Sequence, residues 1–260
     1  MVSRWTPSPG GSGGLTSMAE LGAGGRARPP WLVWLVLALV TAILVATLGM
    51  AGSRRSQTAP PPSREAHQQI VARVIAAKDR QTLIGNSPTR GNPAALVVLF
   101  VFADFQCPYC AISAAQMKPF VQAHAEDMLF VFKHFPLTQI HAEAEPAAIS
   151  AWAAGQQGQF WLYHDGLFVH QNRLGEALYV ELATAMGLDL EQFNRDRQSQ
   201  TARAALTEDV ALAHELKLQG TPAFIMNDLL IPGGAPVPLF EEIFKQVRQS
   251  LTPPSAGSTR

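Results

Sequence analysis

The chain has 260 residues with 20 basic and 20 acidic side chains, a balance that argues against a basic surface for nucleic acid. Its length allows one sizeable domain with additional segments. Its two cysteines lie in one motif and leave none for a framework of structural disulfides, so the compartment has to be inferred from other features.

The N-terminal part of the chain predicts a membrane anchor. Residues 1–28 are rich in Gly, Ser and Pro, which predicts a disordered tail. Residues 29–53 contain no charge. A helix of that length spans about 37 Å, enough to cross a hydrocarbon core of roughly 30 Å. Trp31 and Trp34 lie at one end, as interface anchors do. The alternative is a cleaved signal peptide, whose apolar region has only about 7–15 residues.

A linker is predicted at 54–91, with a Pro-rich stretch and then a short amphipathic helix around Ile70 to Ile75. The globular domain is expected to begin near Asn92 and to extend to Leu251. Residues 252–260 are predicted to be a disordered tail.

The apolar, β-prone runs Leu96–Phe102 and Met128–Phe132 predict two buried strands. A helix-prone segment separates them, so the strands are expected to be parallel with a right-handed crossover. Pro119 lies within that segment and is expected to kink or divide the helix.

Residues 141–218 show no strand-like run and predict a block of helices. A hairpin is predicted at 223–231 and a final helix at 239–247. The predicted order is β-α-β, a helical block, and then β-β-α, which is an α/β fold.

Cys107-Pro108-Tyr109-Cys110 lies where the first strand passes into the first helix of this domain. A helix N-terminus offers unpaired N–H groups and a partial positive charge, which favour a thiolate, the nucleophile of disulfide exchange. Pro108 is placed where a missing N–H costs nothing. Two alternatives remain. The cysteines are either buried structural thiols or half of a zinc site, which needs two further ligands that have no obvious candidates.

Three segments together resemble the DsbA-like thiol:disulfide oxidoreductases. They are Asp104–Cys110, Lys133–Leu137 and Gly220–Phe224, and the resemblance covers roughly residues 92–251. It implies a thioredoxin-like fold with a helical insertion, preceded here by the single transmembrane helix. It also implies an enzyme without a separate cofactor or metal.

The resemblance implies roles for individual residues. Cys107 matches the exposed attacking cysteine, and Cys110 the resolving one. Pro222 matches the proline that is cis beside the disulfide, and the backbone of Thr221 is expected to pair with an extended substrate.

Pro108 and Tyr109 are expected to tune the redox potential. Because Tyr109 carries no positive charge, we expect a milder oxidant than the most oxidising members of the family. Many relatives have an acidic residue six positions before the first cysteine, where this chain has Val101, which leaves the proton route of Cys110 open. The histidines are interpreted as ordinary loop or helix residues.

These features predict a membrane-tethered thiol:disulfide oxidoreductase that oxidises thiols of exported proteins. The arginines that flank the anchor do not decide its orientation. The function places the anchor in the cytoplasmic membrane and the catalytic domain on the periplasmic side. The expected partners are exported proteins and a quinone-linked membrane oxidase, and the chain is expected to be a monomer. A reductase or isomerase of the same fold is the first alternative, and a peptide-binding, chaperone-like module with vestigial redox activity is the second.

Overall fold

The computed structural model describes residues 30–51 and 62–251, which belong to two compact units with the division at Pro60/Pro61. The first unit contains helix α1 (Pro30–Ala51), of which side chains are described only at Trp31 and 34–44. Judged on the described residues, no helix is both long and apolar enough to cross a membrane. The anchor predicted at 29–53 extends beyond them and stays a prediction. The tails predicted at 1–28 and 252–260 lie outside the described residues.

The second unit is built on a sheet with the strand order β1-β3-β2-β4-β5. Strands β2 and β3 are parallel, as predicted, and the other neighbouring pairs are antiparallel. The strands are β1 (Thr89–Gly91), β2 (Val97–Ala103), β3 (Met128–His134), β4 (Ala223–Met226) and β5 (Leu229–Ile231).

Helix α4 (Pro108–Ala123) connects β2 to β3, and Pro119 lies inside it without dividing it. Five helices between β3 and β4 form the predicted helical insertion. The remaining helices are α2 (Arg64–Ala76), α3 (Arg80–Ile84), α5 (Ala144–Gln156), α6 (Phe160–Val169), α7 (Glu176–Ala185), α8 (Leu190–Gln198), α9 (Gln200–Glu215) and α10 (Val237–Leu251).

Both faces of the central strands are covered, which explains their unbroken apolar sequence. Leu99 and Phe132 belong to the core on the side of α4, α5, α6 and α10. Phe100 and Val131 belong to a second core on the side of α2 and α9. The central sheet therefore holds the β2–α4 junction, where the cysteines lie, between two packed layers.

The predicted linker 54–91 is wrong for most of its length, because the compact unit begins at Pro61 rather than near Asn92. Val71 and Leu83 are buried in the second core, and β1 pairs with β3 at the edge of the sheet. Strand β1 has three residues and is polar, so the apolar pattern gave no sign of it. Gly91 closes it with φ +96°, where a Cβ would lie 2.3 Å from the carbonyl oxygen of Met128.

Candidate active site

The two cysteines occupy different positions of the same helix start. Cys107 is the N-cap of α4, and Pro108 follows inside the first turn. Cys110 lies within that turn. Both thiols are free. Cys107 was expected to be exposed, but its exposed fraction is only 5%, against 2% for Cys110. The reason is the loop before β4, which covers the Cys107 sulfur.

That loop contains the predicted proline. The Thr221–Pro222 peptide bond is cis, and the Cys107 thiol donates to the Thr221 carbonyl oxygen over 3.4 Å. Gly233 lets the loop pack closely, because a Cβ there would meet the Pro222 carbonyl oxygen at 1.9 Å. The fold therefore brings the sequence-predicted residues of both segments together.

The surroundings separate the acidities of the two thiols. The hydrogen bond from the Cys110 thiol lowers the pKa of Cys107 to about 5, with Thr221 and the N–H groups of Cys110 and Tyr109 adding to the effect against burial. Burial, followed by the hydrogen bond to Cys107, raises the pKa of Cys110 well above its ordinary value. At neutral pH Cys107 is a thiolate and Cys110 a thiol, as disulfide exchange requires.

Asp104 lies beside Cys110, and its carboxylate binds groups of the neighbouring loops. Its backbone N–H donates to the Cys110 sulfur over 3.5 Å. Its carboxylate accepts hydrogen bonds from the Leu137 N–H at 2.9 Å and from the Gln106 N–H at 2.7 Å, and it lies 2.7 Å from Nδ1 of His141. Asp104 therefore ties the β2–α4 junction to the loop after β3.

Gln171 is a site residue that the sequence did not indicate. Its side-chain Nε2 donates to the carbonyl oxygens of Phe105 at 2.7 Å and of Cys107 at 2.9 Å. It comes from the short 3₁₀ helix Gln171–Arg173 in the helical insertion, far from the cysteines in sequence. Pro108 and Tyr109 are exposed, Tyr109 by 70%, so they belong to the surface around the cysteines.

Two histidines near the site, His134 and His164, are buried. Within residues 30–51 and 62–251, no group of three or more His, Cys, Asp or Glu side chains is placed to hold a metal ion. Both ring nitrogens of His134 are buried without a partner, and burial lowers its pKa to about 4. His164 packs edge-on against Phe105, the residue two before Cys107, with ring centroids 5.7 Å apart.

The family model described as thioredoxin matches residues 84–237. A solved thioredoxin-like oxidoreductase from Silicibacter pomeroyi is 30% identical, with a TM-score of 0.61 over 66% of this chain and 99% of that one. Two further structures share the fold. The thiol-disulfide exchange protein alpha-DsbA2 from Wolbachia pipientis is 18% identical with a TM-score of 0.64, over 71% of this chain and 100% of that one. The catalytic domain of Proteus mirabilis ScsC is 20% identical with a TM-score of 0.59, over 68% of this chain and 97% of that one.

Among curated proteins, the Na(+)/H(+) antiporter NhaA 3 of Salinispora tropica is 32% identical over 61% of this chain, and NhaA 1 of Salinispora arenicola is 37% identical over 53%. The matches span 26% and 21% of those antiporters, so the chain corresponds to about a quarter of their length. Ion transport does not follow for this chain from a match to so small a part of those proteins. The chain belongs to the thioredoxin family and is a thiol:disulfide oxidoreductase that shares its fold with alpha-DsbA2.

Proposed function

We propose that the protein oxidises thiols of exported proteins through the Cys107–Cys110 disulfide. The observation that carries this proposal is the position of Cys107 beside the buried Cys110 thiol at the N-cap of α4, where the hydrogen bond from Cys110 lowers the pKa of Cys107 to about 5. A stabilised thiolate favours the dithiol form and makes the disulfide a better oxidant. The corresponding pKa is about 7 in thioredoxin and about 3.5 in DsbA. The intermediate value supports an oxidant milder than DsbA.

The reaction begins when a substrate thiolate attacks the Cys107 sulfur of the disulfide. The bond between Cys107 and Cys110 breaks, and Cys110 leaves and takes up a proton. A second substrate thiolate then attacks the substrate sulfur of the mixed disulfide. The substrate leaves oxidised, Cys107 leaves as a thiolate, and two electrons stay on the protein dithiol. Cys107 is suited to leaving because its pKa is low.

The surface around the sulfurs supports binding of an extended peptide. Tyr109 is exposed on one side of Cys107, and the Thr221–Pro222 loop lies on the other. The Thr221 carbonyl accepts a hydrogen bond from Cys107 only while that sulfur is protonated. In the disulfide form the carbonyl is free to accept one from a substrate backbone, which gives affinity with little dependence on substrate sequence.

The cellular setting is a further part of the proposal. The charge-free segment 29–53 tethers the chain to the cytoplasmic membrane as a single span, with the catalytic domain of this monomer on the periplasmic side. A quinone-linked oxidase in the membrane receives the two electrons. Protease digestion of intact spheroplasts tests the placement: the catalytic domain is expected to be degraded, and its protection would overturn it.

The reduction potential decides between an oxidase and a reductase. Equilibration of the full-length chain with glutathione buffers is expected to give a value between those of thioredoxin, about −270 mV, and DsbA, about −120 mV. A value at or below that of thioredoxin would favour a reductase. Trapping is a second test. Cys110→Ala is expected to accumulate mixed disulfides with exported proteins on non-reducing gels, and Cys107→Ala is expected to form none.

A peptide-binding module with vestigial redox activity makes a different prediction. Under that alternative, Cys107→Ala retains full biological activity. Under the proposed function, that variant is inactive, because the thiolate that enters the mixed disulfide is gone.

A further inference from the structure

Cys110 needs a route for its proton whenever it forms or breaks a disulfide. Its side chain is buried, and burial raises its pKa, so the thiol attacks efficiently only if a nearby group takes its proton. Val101 occupies the strand position from which an acidic side chain would face it. The carboxylate of Asp104 is already engaged with the Leu137 and Gln106 N–H groups.

A small cavity lies beside Cys110, with a volume of about 40 Å³. Most of its wall is apolar, with Val101 beside Cys110, and the polar side chains in the wall are Arg90, Cys110, Ser113, Lys118, His164 and Asp165. A water molecule occupies about 10–15 Å³ of such a volume, so the cavity has room for two or three waters between Cys110 and the groups on the α6 side.

Charged contacts fix the ring of His164 in this wall. Its Nδ1 lies 2.9 Å from a carboxylate oxygen of Asp165, whose other oxygen accepts from Lys118 at 2.6 Å. The hydrogen bond from His164, aided by Lys118, lowers the pKa of Asp165 to about 2, so the carboxylate only accepts. Nδ1 therefore carries the ring proton, and Nε2 has a free lone pair. Asp165 is 31% exposed and connects the ring to solvent.

We propose that His164, held by Asp165, exchanges the proton of Cys110 through water in this cavity and replaces the acid that the chain lacks at Val101. The inference rests on the role proposed above for Cys110. His164 is neutral at physiological pH, because burial lowers its pKa, so it is available as a base.

Other charged groups face the same ring from neighbouring elements. Arg90 on β1 and Lys118 on α4 both disfavour a positive ring, while Asp165 favours one. On β3, His134 interacts electrostatically with His164 and is itself kept neutral by burial. A proton accepted by His164 is therefore held weakly and is readily released to solvent beside the partly exposed Asp165.

The step is most direct when Cys110 resolves a mixed disulfide. The proton of the Cys110 thiol passes by way of cavity water to Nε2 of His164. The Cys110 sulfur attacks the Cys107 sulfur, the Cys107–Cys110 bond forms, and the bond from Cys107 to the departing thiol breaks. When oxidised glutathione is the oxidant, both electrons of the dithiol pass to glutathione, which leaves as two reduced molecules.

The experiment follows this resolution step in the reduced, full-length chain. Rapid mixing with oxidised glutathione, acid quenching and mass spectrometry separate the Cys107–glutathione adduct from the closed disulfide. Wild-type resolution is expected to be nearly independent of pH around neutrality. In His164→Gln we expect it to be about 10²-fold slower near pH 7. The rate is also expected to rise about tenfold per pH unit, because only solvent then takes the proton.

Three further variants separate a proton relay from a structural role. His124→Gln is the matched control: His124 also lies at α4 and pairs with a carboxylate, that of Glu241, but it is not part of the cavity wall. It is expected to keep the wild-type pH profile. Val101→Glu added to His164→Gln is expected to restore fast resolution. Asp165→Asn is expected to give an intermediate profile, and thermal melts confirm that each variant folds.

The outcomes are distinct. A wild-type rate and pH profile in His164→Gln would overturn the relay while leaving the cysteine roles intact. If the wild-type chain formed no glutathione adduct at Cys107, or if Cys110→Ala failed to accumulate one, the cysteine roles and the relay that rests on them would both be overturned.

Discussion

The acidity of Cys107 gives the sharpest test of the site, and the informative change is Cys110→Ala. The largest single cause of the low Cys107 pKa is the hydrogen bond from the Cys110 thiol, ahead of the contributions from Thr221 and the backbone N–H groups. The alanine removes that donor and leaves the helix start and the loop with the cis peptide bond in place. The pKa of Cys107 is therefore expected to rise.

The size of the effect follows from the energy of one hydrogen bond to a charged group. Such a bond contributes about 1.5–3 kcal/mol, and a tenfold change in an acid dissociation constant corresponds to about 1.4 kcal/mol. The acid dissociation constant of Cys107 is then expected to fall by about ten- to hundredfold. The midpoint of its titration remains below that of an ordinary thiol, because the Thr221 and backbone contributions persist.

The assay is the rate of alkylation by iodoacetamide as a function of pH, together with the ultraviolet absorbance of the thiolate. Cys107 is the only cysteine in the variant, so both signals belong to it. In the wild type, the reactive thiolate is expected to titrate with a midpoint near pH 5. In Cys110→Ala, the midpoint is expected about one to two pH units higher.

Cys110→Ser is the matched control, because it keeps a donor at the same position and is expected to leave the midpoint closer to that of the wild type. An unchanged midpoint in the alanine variant would refute the reasoning. It would assign the acidity of Cys107 to the helix N-terminus and Thr221 instead.

Three other changes test contacts around the site. Gln171→Ala leaves the carbonyl oxygens of Phe105 and Cys107 without their donor. It is expected to lower the free energy of unfolding by about 1–2 kcal/mol, or the Tm by about 2–8 °C. Asn172→Ala changes the exposed neighbouring residue and is expected to leave the Tm unchanged. Asp209→Asn removes the negative charge that lies 2.9 Å from the buried Lys133 ammonium and is expected to cost about 3–5 kcal/mol in denaturant unfolding, most of it recovered by adding Lys133→Met. His134 has a pKa of about 4 when folded against an ordinary 6.5, so the unfolded chain binds more protons between those values and the stability from this group is lost as the pH falls through that window. His134→Phe is expected to flatten that part of the pH–stability curve, and an unchanged curve would contradict the assignment.

The central part of the fold could be predicted because its local signals were strong and consistent. Strands β2 and β3 are buried on both faces and therefore have unbroken apolar runs, and the hairpin β4–β5 is marked by its turn at Asn227, where φ is +56°. The edge strand β1 is short and polar, and its pairing depends on β3, which follows it in the chain. No local pattern indicates such a strand.

The residues of the candidate site could likewise be predicted only in part. The cysteines and the Thr221–Pro222 segment were found because their sequence motifs are specific. Gln171 and His164 were not, because each acts through a contact made by the helical insertion rather than through a motif of its own. The exposure of Cys107 was wrongly expected because the covering loop lies more than a hundred residues away. Contacts between residues so far apart in the chain depend on tertiary packing, so the sequence around Cys107 does not indicate them.

The opposite acidities of the two thiols follow from the two-residue spacing of the motif. As N-cap, Cys107 meets the free N–H groups of the first turn, while Cys110 is one turn further and lies in the core below. Each thiol then reinforces the difference, because the Cys110 S–H stabilises the Cys107 thiolate and is harder to ionise as a result. Tyr109 supplies no charge, and the pKa of Cys107 is still low, so the residues between the cysteines are not the main source of the acidity. A substitution at Tyr109 is therefore expected to change the pKa of Cys107 less than a substitution at Cys110 or Thr221 does.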